Sequence, residues 1–208
     1  MILIGQYDSP FVRRVGITLE HYQLPFEHRP WSVWGNAEQI AEYNPLRRVP
    51  VLILDDGAVL VESFTILQAL DEMVGPARAL VPMPGPSRLD AAKITAFCTG
   101  ICDKAVVLLY SELKLMEPSE KWQARCRTQV LETCARLEGE RAARKTPHWF
   151  GLTLTHADIA LGCAFRFTSE AHPSWFDPKA FPALANHATR LEALPEFQAI
   201  LLPITNNL

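Results

Sequence analysis

Pro50 is the residue that most constrains how this chain can fold. It stands directly before an apolar run, residues 51–54. A proline inside a central strand would remove a hydrogen bond from the ladder, so Pro50 has to mark the start of a strand. The Asp-Asp-Gly sequence at 55–57 then signals a tight turn, and residues 58–61 return as a second strand. The sequence therefore predicts a proline-led β-hairpin.

A helix N-terminus follows the hairpin immediately. Glu62 and Ser63 lead into a segment, residues 64–70, that is apolar on one side, and Ser63 is a good N-cap. A strand edge and a helix N-terminus thus fall within the twenty residues 44–63. Such an arrangement suits an extended peptide along the strand and an anion at the helix N-terminus.

The residues before the hairpin complete an α/β pattern. Residues 2–5 are a short apolar run, and Pro10 suits the first turn of a helix with Ser9 or Asp8 as its cap. A second strand and a short helix are predicted next, at residues 26–31 and 35–43. The order is β-α-β-α-β-β-α, in which a crossover helix makes the first two strands parallel.

The second half of the chain is predicted to be entirely helical. A segment rich in proline and glycine, residues 76–86, is the clearest linker in the sequence. The predicted fold class is therefore α/β followed by all-α, with one domain over residues 1–75 and a helical domain over residues 87–208. Helical periodicity covers residues 89–116, 120–144, 155–168, 181–194 and 196–201.

Composition and charge exclude several classes of function. The 208 residues contain 20 lysines and arginines against 23 aspartates and glutamates, and this net charge of −3 does not suit a nucleic-acid surface. No apolar run reaches the roughly 18 residues needed to span a bilayer. The first residues have the pattern of a strand rather than of a signal peptide. We therefore expect a cytoplasmic protein that binds neither nucleic acid nor membrane.

The cysteines argue against both a disulfide and a metal site. The chain has five cysteines and no Cys-x-x-Cys pair, which suits packed thiols in a reducing compartment. Cys98 and Cys102 are one helical turn apart, but no histidine or third cysteine lies near them in the sequence. We expect no metal cofactor.

A structural motif opens the third long helix of the second half. Thr155 as N-cap and Asp158 three residues later form a predicted capping box, with Leu154 and Ile159 as its hydrophobic staple. This motif supports folding, and we predict no chemistry for it.

Four motifs together resemble the cytosolic glutathione S-transferase family: SPFVRRV, NPLRRVPVL, the Glu-Ser pair and LTHADI. The resemblance covers essentially the full length. It implies an N-terminal thioredoxin-like domain, a C-terminal all-helical bundle domain, glutathione as co-substrate and a homodimer. The implied reaction is attack of the glutathione thiolate on a small hydrophobic electrophile, and isomerisation or dehalogenation would use the same thiolate.

Two alternatives from other classes stay open. One is a non-catalytic binding or scaffold protein with the glutathione transferase fold. The other is a thiol–disulfide oxidoreductase, since the first domain would be thioredoxin-like, and the missing Cys-x-x-Cys pair argues against it.

The resemblance also implies where glutathione lies. Val49-Pro50 corresponds to a pair whose cis peptide bond turns the valine backbone outward, toward the cysteinyl residue of glutathione. Glu62 is expected to take the γ-glutamyl amine. Ser63 and the helix N-terminus would take the neighbouring carboxylate.

Basic and acidic residues complete the expected glutathione ligands. Arg48, with Arg47 as second choice, would meet the glycyl carboxylate, a role that suits a guanidinium. Asp103 either helps to hold the γ-glutamyl amine or pairs with a basic neighbour. Arg13 and Arg14 are interpreted as solvent-facing or ion-paired residues of the first helix.

Ser9 is the predicted catalytic residue. At a helix N-terminus, its hydroxyl and the helix dipole would lower the pKa of a bound thiol from about 8.5 toward neutral. SPFVRRVGI resembles the start of serine-type bacterial transferases, and Ser9 falls on their catalytic position. The alternative is that Ser9 only caps the helix. Tyr7 is a rival, because other branches of the family use a tyrosine there, but a role in packing or in the wall of the site is the favoured interpretation.

The second substrate is expected between the two domains. The predicted wall is aromatic and aliphatic, although each of its residues is equally plausible in a core. These candidates are Phe11, Trp31, Trp34 and Ile101, with Pro10, Phe97 and Tyr110 beside them.

Overall fold

A computed structural model of the protein describes residues 1–81 and 85–204. These residues divide into two units. The first contains Met1–Leu80 together with the described residues from Leu194 onward, and the second is Val81–Ala193. Of the predicted linker, residues 82–84 lie outside the described residues.

The first unit contains a mixed sheet of four strands: β1 (Ile2–Ile4), β2 (Glu27–Arg29), β3 (Val51–Ile53) and β4 (Val59–Val61). Their order in the sheet is β2-β1-β3-β4. Strand β1 is parallel to β2, and β3 is antiparallel to both β1 and β4. The predicted parallel pair and the predicted proline-led hairpin are both confirmed.

Three helices flank these strands in sequence: α1 (Pro10–Tyr22), α2 (Ala37–Ala41) and α3 (Ser63–Val74). Gln23, the C-cap of α1, takes the left-handed conformation with φ 55°. Its apolar face, with Val12, Val15 and Leu19 at helical spacing, is fully buried. Helices α1 and α3 pack against each other.

The second unit is all-helical, as predicted. It contains α4 (Pro86–Glu112), α5 (Glu120–Ala142), α6 (His156–Ala171) and α7 (Pro182–Glu192). Helix α4 packs against α5 and α6, and α7 packs against α5 and α6. Among the described residues, no helix is both long enough and apolar enough to cross a bilayer.

All five cysteines are buried thiols, as predicted. Burial raises the pKa of the Cys134 thiol to about 12. A thiol in such surroundings stays protonated at neutral pH and is a poor nucleophile.

The last helix returns to the first unit. Helix α8 (Pro195–Ala199) packs against α1. The side chain of Arg13 donates from Nε to the carbonyl of Ile200 at 2.9 Å and from a terminal nitrogen to that of Phe197 at 3.3 Å. The sequence placed residues up to 208 in the helical domain, whereas the described residues after Ala193 group with the first unit.

The interpretation of Arg13 and Arg14 as solvent-facing is wrong, and the alternative that they are ion-paired stays a prediction. Their side chains are 2% and 3% exposed. The guanidinium of Arg13 also lies 5.6 Å from the ring centre of Phe197. Arg13 looked exposed in the sequence because the segment that covers it lies far along the chain. Its acceptor at Ile200 is separated from it by 187 positions.

The predicted capping box at the start of α6 is confirmed. The N–H and the hydroxyl of Thr155 donate to Oδ2 of Asp158 at 3.0 and 2.7 Å. Oδ1 of Asp158 accepts from the N–H of Trp149 at 2.7 Å and from Nε2 of His187 at 2.9 Å. Asp158 therefore joins the start of α6 to the preceding loop and to α7.

His187 is held as a neutral imidazole in this network. Its Nε2 donates to Asp158, and its Nδ1 accepts from Arg190 at 3.2 Å. Burial, together with Arg141 and Arg190, lowers the pKa of His187, although Asp158 opposes the shift. Burial alone would raise the pKa of Asp158, but hydrogen bonds from His187, Thr155 and Trp149 outweigh it and hold that pKa below its usual range.

We predict that stability falls as the pH drops below about 6.5, the ordinary histidine pKa. The unfolded chain then binds a proton at residue 187 that the folded protein resists, so protonation favours unfolding. The lowered pKa of Asp158 adds a further loss below about pH 4. The urea midpoint at pH 5 should be lower than at pH 8, and His187→Gln, which can still donate to Asp158, should reduce that difference. An equal difference in the two proteins would contradict this assignment.

Candidate functional site

The candidate site is built around the peptide bond between Val49 and Pro50, which is cis, as predicted. Pro50 is buried and directly precedes β3. The side chain of Val49 packs against the buried cluster of Ile4, Ile40 and Val51. The side chain of residue 49 therefore anchors in the core of the first unit and fixes this turn of backbone.

Gly5 permits the close approach of three chain segments at this point. Its φ is 130°, and a Cβ here would lie 2.5 Å from Cγ2 of Val12 and 2.8 Å from Cβ of Val49. Only glycine tolerates both this conformation and this proximity. The end of β1, the first turn of α1 and Val49 meet because residue 5 has no side chain. Sequence reasoning saw Gly5 only as the end of a strand.

Asn44 braces the loop that leads to Val49. It is 2% exposed. Its Nδ2 donates to the carbonyl of Arg48 at 2.9 Å, and its Oδ1 accepts from the N–H of Leu46 at 3.1 Å. In the sequence, Asn44 precedes Pro45, and an Asn-Pro pair indicates only a turn.

The two neighbouring arginines point to different partners. Arg47 forms a two-pronged contact with Glu38, at 2.6 and 3.2 Å. Arg48 lies 3.5 Å from the carboxylate of Glu62. This arrangement brings Arg48, and not Arg47, to the beginning of α3.

Glu62 lies beside the prolyl turn because of the strand register. Val51 pairs with Val61, so the antiparallel ladder leads from Pro50 to Glu62. Glu62, and not Ser63, is the N-cap of α3, with φ 65° and no capping hydrogen bond from its side chain. The predicted N-cap at Ser63 is therefore wrong by one residue: Ser63 is the first helical residue, and it is 4% exposed.

Ser9 is the N-cap of α1. Its backbone is extended, with φ −67° and ψ 122°, and Pro10 occupies the first helical position. The Oγ of Ser9 accepts from the N–H of Val12 at 3.4 Å. The hydroxyl is the acceptor in that bond, so its own proton can be donated to a ligand.

Tyr7 is held against β2. Its ring stacks on that of His28, with centres 3.8 Å apart and planes inclined by 4°. Burial, assisted by the charge of Glu20, raises the pKa of Tyr7 to about 12. A nitrogen of His28 is in turn 2.8 Å from the carbonyl oxygen of Gly5. The packing interpretation of Tyr7 is favoured by these contacts.

The predicted wall residues differ widely in exposure. In the first unit Trp34 is 46% exposed, and Phe11 and Trp31 are half-buried. In the second unit Ile101 is only 4% exposed, which favours the core interpretation for that residue. Asp103 is exposed on α4. The remaining candidates are Pro10, which is buried, and Phe97 and Tyr110, which are half-buried.

The described residues contain no group of three or more histidine, cysteine, aspartate or glutamate side chains placed to hold a metal ion.

Two family models match the chain. The model described as "Glutathione S-transferase, N-terminal domain" matches residues 8–73, and "Glutathione S-transferase, C-terminal domain" matches residues 120–190. A glutathione S-transferase from Methylobacterium radiotolerans JCM 2831, solved in complex with glutathione sulfonate, is 31% identical. Its alignment covers 98% of this chain and 95% of that chain, with a TM-score of 0.88. The chain belongs to the glutathione S-transferase family.

Two further similar proteins support the same assignment to the glutathione S-transferase family. A glutathione transferase family member from Pseudomonas fluorescens Pf-5, solved with bound glutathione, is 29% identical over 98% of this chain and 99% of that chain, with a TM-score of 0.79. The uncharacterized GST-like protein YibF of Escherichia coli K12 is 29% identical over 180 residues, 84% of this chain and 86% of that protein. The family and the two-part fold predicted from the sequence are confirmed.

Proposed function

We propose that this protein is a glutathione transferase of the serine type, which activates the thiol of glutathione for attack on a small hydrophobic electrophile. The observation that carries the proposal is the convergence of the cis Val49-Pro50 turn with Glu62 at the start of α3. Gly5 links the same turn to the first turn of α1, where Ser9 is the cap. An extended peptide and a thiolate both have suitable partners in such an arrangement.

The proposed glutathione ligands each have a distinct role. The backbone of Val49 pairs with the cysteinyl residue, as an added strand would. Glu62 takes the γ-glutamyl amine, and the N-terminus of α3 at Ser63 takes the neighbouring carboxylate. Arg48 takes the glycyl carboxylate, and Arg47 is the second choice because it is already paired with Glu38.

The ion pair between Arg48 and Glu62 does not oppose binding. Both side chains are about half exposed, at 55% and 48%, and they lie 3.5 Å apart. Exposed pairs of this kind contribute about 0–1 kcal/mol. Glutathione, which offers its own amine and carboxylates, can therefore replace the contact at little cost.

The proposed chemistry centres on the sulfur of glutathione. The thiol loses its proton to solvent, and the Ser9 hydroxyl donates a hydrogen bond to the thiolate. The N-terminus of α1 adds a favourable field for the negative charge. The sulfur electron pair then forms a bond to the electrophilic carbon as the bond to the leaving group breaks.

We also propose that Asp103 assists at the γ-glutamyl amine. The side chains of Phe11, Trp31 and Trp34 bind the electrophile.

We propose further that the protein is a cytoplasmic homodimer. Large apolar side chains on the surface, such as Phe64 at 68% and Leu89 at 75% exposure, support self-association. Sedimentation equilibrium at micromolar concentration tests the dimer, since a monomer there would remove this part of the proposal.

Calorimetry with glutathione, followed by a conjugation assay with a chromogenic aryl halide, tests the function. Binding together with thioether formation is the expected result. Binding without turnover across a panel of electrophiles would favour a scaffold role. Disulfide reduction in place of conjugation would favour an oxidoreductase.

Glu62→Gln should weaken glutathione binding about tenfold, since a charge-assisted hydrogen bond to the γ-glutamyl amine becomes a neutral one. Glu38→Gln is the matched control, because Glu38 contacts Arg47 and has no proposed ligand. The dissociation constants are measured by calorimetry at one salt concentration. Equal constants for Glu62→Gln and the unaltered protein would place the γ-glutamyl amine elsewhere.

A further inference from the structure

The orientation of one peptide group in the proposed site is set by a buried side chain. Asn44 is 2% exposed, and both ends of its amide are used. Its Nδ2 donates to the carbonyl of Arg48, and its Oδ1 accepts from the N–H of Leu46. The opposite placement of nitrogen and oxygen would set donor against donor and acceptor against acceptor, so the network fixes the orientation.

The bond from Asn44 decides where the N–H of Val49 points. The peptide between Arg48 and Val49 is trans, and in a trans peptide the C=O and N–H point in opposite directions. The carbonyl of Arg48 is turned toward the buried Asn44, so the N–H of Val49 is turned away from it. No acceptor among residues 1–81 and 85–204 takes that N–H.

The other atoms of Val49 are held by separate contacts. Its side chain packs on the buried cluster of Ile4, Ile40 and Val51, and Gly5 allows β1 to approach it closely. The side chain is therefore fixed independently of the loop. What remains for Asn44 to fix is the rotation of the preceding peptide plane.

We propose that Asn44 is a positioning residue for glutathione, which holds the Arg48–Val49 peptide so that its N–H faces the cysteinyl carbonyl of the ligand. This inference rests on the proposed function. Without the Nδ2 donor, the carbonyl of Arg48 loses a buried partner, and the peptide can rotate toward water. The N–H of Val49 then no longer points toward the cysteinyl carbonyl of glutathione.

Asn44→Asp tests this, because it keeps an oxygen for the N–H of Leu46 and replaces the donor to Arg48 with a carboxylate oxygen, which repels that carbonyl. It should weaken glutathione binding about tenfold, the order expected for one misaligned hydrogen bond. Asn36→Asp is the matched control: it makes the same chemical change in the first unit, where Oδ1 accepts from Ser32 at 3.1 Å. That control should bind glutathione as the unaltered protein does.

A shortened ligand separates Asn44 from the Arg48 side chain. γ-Glutamylcysteine amide lacks the glycyl carboxylate and keeps a neutral cysteinyl carbonyl, so Arg48→Ala should affect its binding much less than that of glutathione. Asn44→Asp should weaken the binding of both ligands by a similar factor. If its effect disappears with γ-glutamylcysteine amide, Asn44 acts on the Arg48 side chain and the inference is wrong.

A measurement on the unaltered protein covers the case in which Asn44→Asp does not fold. Amide hydrogen exchange followed by NMR should find the Val49 amide exchanging quickly in the free protein and slowly with glutathione bound. The side-chain amide of Asn44 should be protected in both states. A Val49 amide that is already protected in the free protein would overturn the inference.

The two proposals fail differently. If the unaltered protein does not bind glutathione, the proposed function fails and this inference falls with it. If it binds glutathione and Asn44→Asp binds equally well, only the role of Asn44 is wrong.

Discussion

Replacing Asp158 with alanine should lower the free energy of unfolding by about 3 kcal/mol or more, because several buried donors lose their acceptor and each costs about 1–3 kcal/mol. Four hydrogen bonds converge on this carboxylate, from the N–H and hydroxyl of Thr155, the N–H of Trp149 and Nε2 of His187. Asp158 and His187 are both fully buried. Water cannot replace the lost acceptor at little cost, so each donor is left unsatisfied. Urea unfolding followed by circular dichroism measures the loss.

Ser119→Ala is the matched control for this prediction. Ser119 is the N-cap of α5 and accepts from the N–H of Trp122 at 3.3 Å, in an exposed position. Loss of an ordinary cap costs about 0.5–2 kcal/mol. If Asp158→Ala costs no more than Ser119→Ala, the carboxylate is only a local cap and its ties to the preceding loop and α7 carry little energy.

Ser9→Ala should slow conjugation by about 10- to 100-fold at neutral pH, the equivalent of one hydrogen bond of about 1.5–3 kcal/mol to a charged group. The bound thiol loses a donor that favours its ionised form, so its pKa rises and less thiolate is present. The affinity for glutathione should change little, because the tripeptide keeps its other contacts. Ultraviolet absorbance of the bound thiolate as a function of pH measures the shift.

Ser9→Gly separates this role from helix capping. Glycine at an N-cap costs only a few tenths of a kcal/mol relative to serine, so it keeps most of the capping effect and removes the hydroxyl. Ser9→Gly should therefore be as slow as Ser9→Ala. A rate close to that of the unaltered protein would mean that Ser9 serves only as the cap that its contact with Val12 already makes it.

The helices and strands with one buried face could be predicted from the sequence, because their apolar residues recur with the period of the element. The apolar spacing along α1, the run before the Asp-Asp-Gly turn and the capping box of α6 each gave the right element. The cap of α3 could not be placed correctly. Serine is the usual N-cap, but here Glu62 takes it with a φ of 65°, a conformation that non-glycine residues seldom adopt.

The parts of the site that sequence reasoning missed depend on distant or unusual contacts. Asn44 is polar and next to a proline, which looks like an exposed turn, yet it is buried. Gly5 gave one usable signal, since a glycine at a strand end often marks a close approach of backbone. The proposed choice of Arg48 over Arg47 depends on their contacts with Glu62 and Glu38, which follow from the folded loop and the strand register.

The long-range tie from Arg13 to the segment after α7 has a consequence for synthesis of the chain on the ribosome. The first unit receives two of its hydrogen-bond acceptors, at Phe197 and Ile200, only after the whole helical unit has been translated. Until then the guanidinium of Arg13, which is almost fully buried in the folded protein, lacks these two acceptors. The first unit begins to be translated before the helical unit, but it can complete its hydrogen bonds only after the helical unit has been translated.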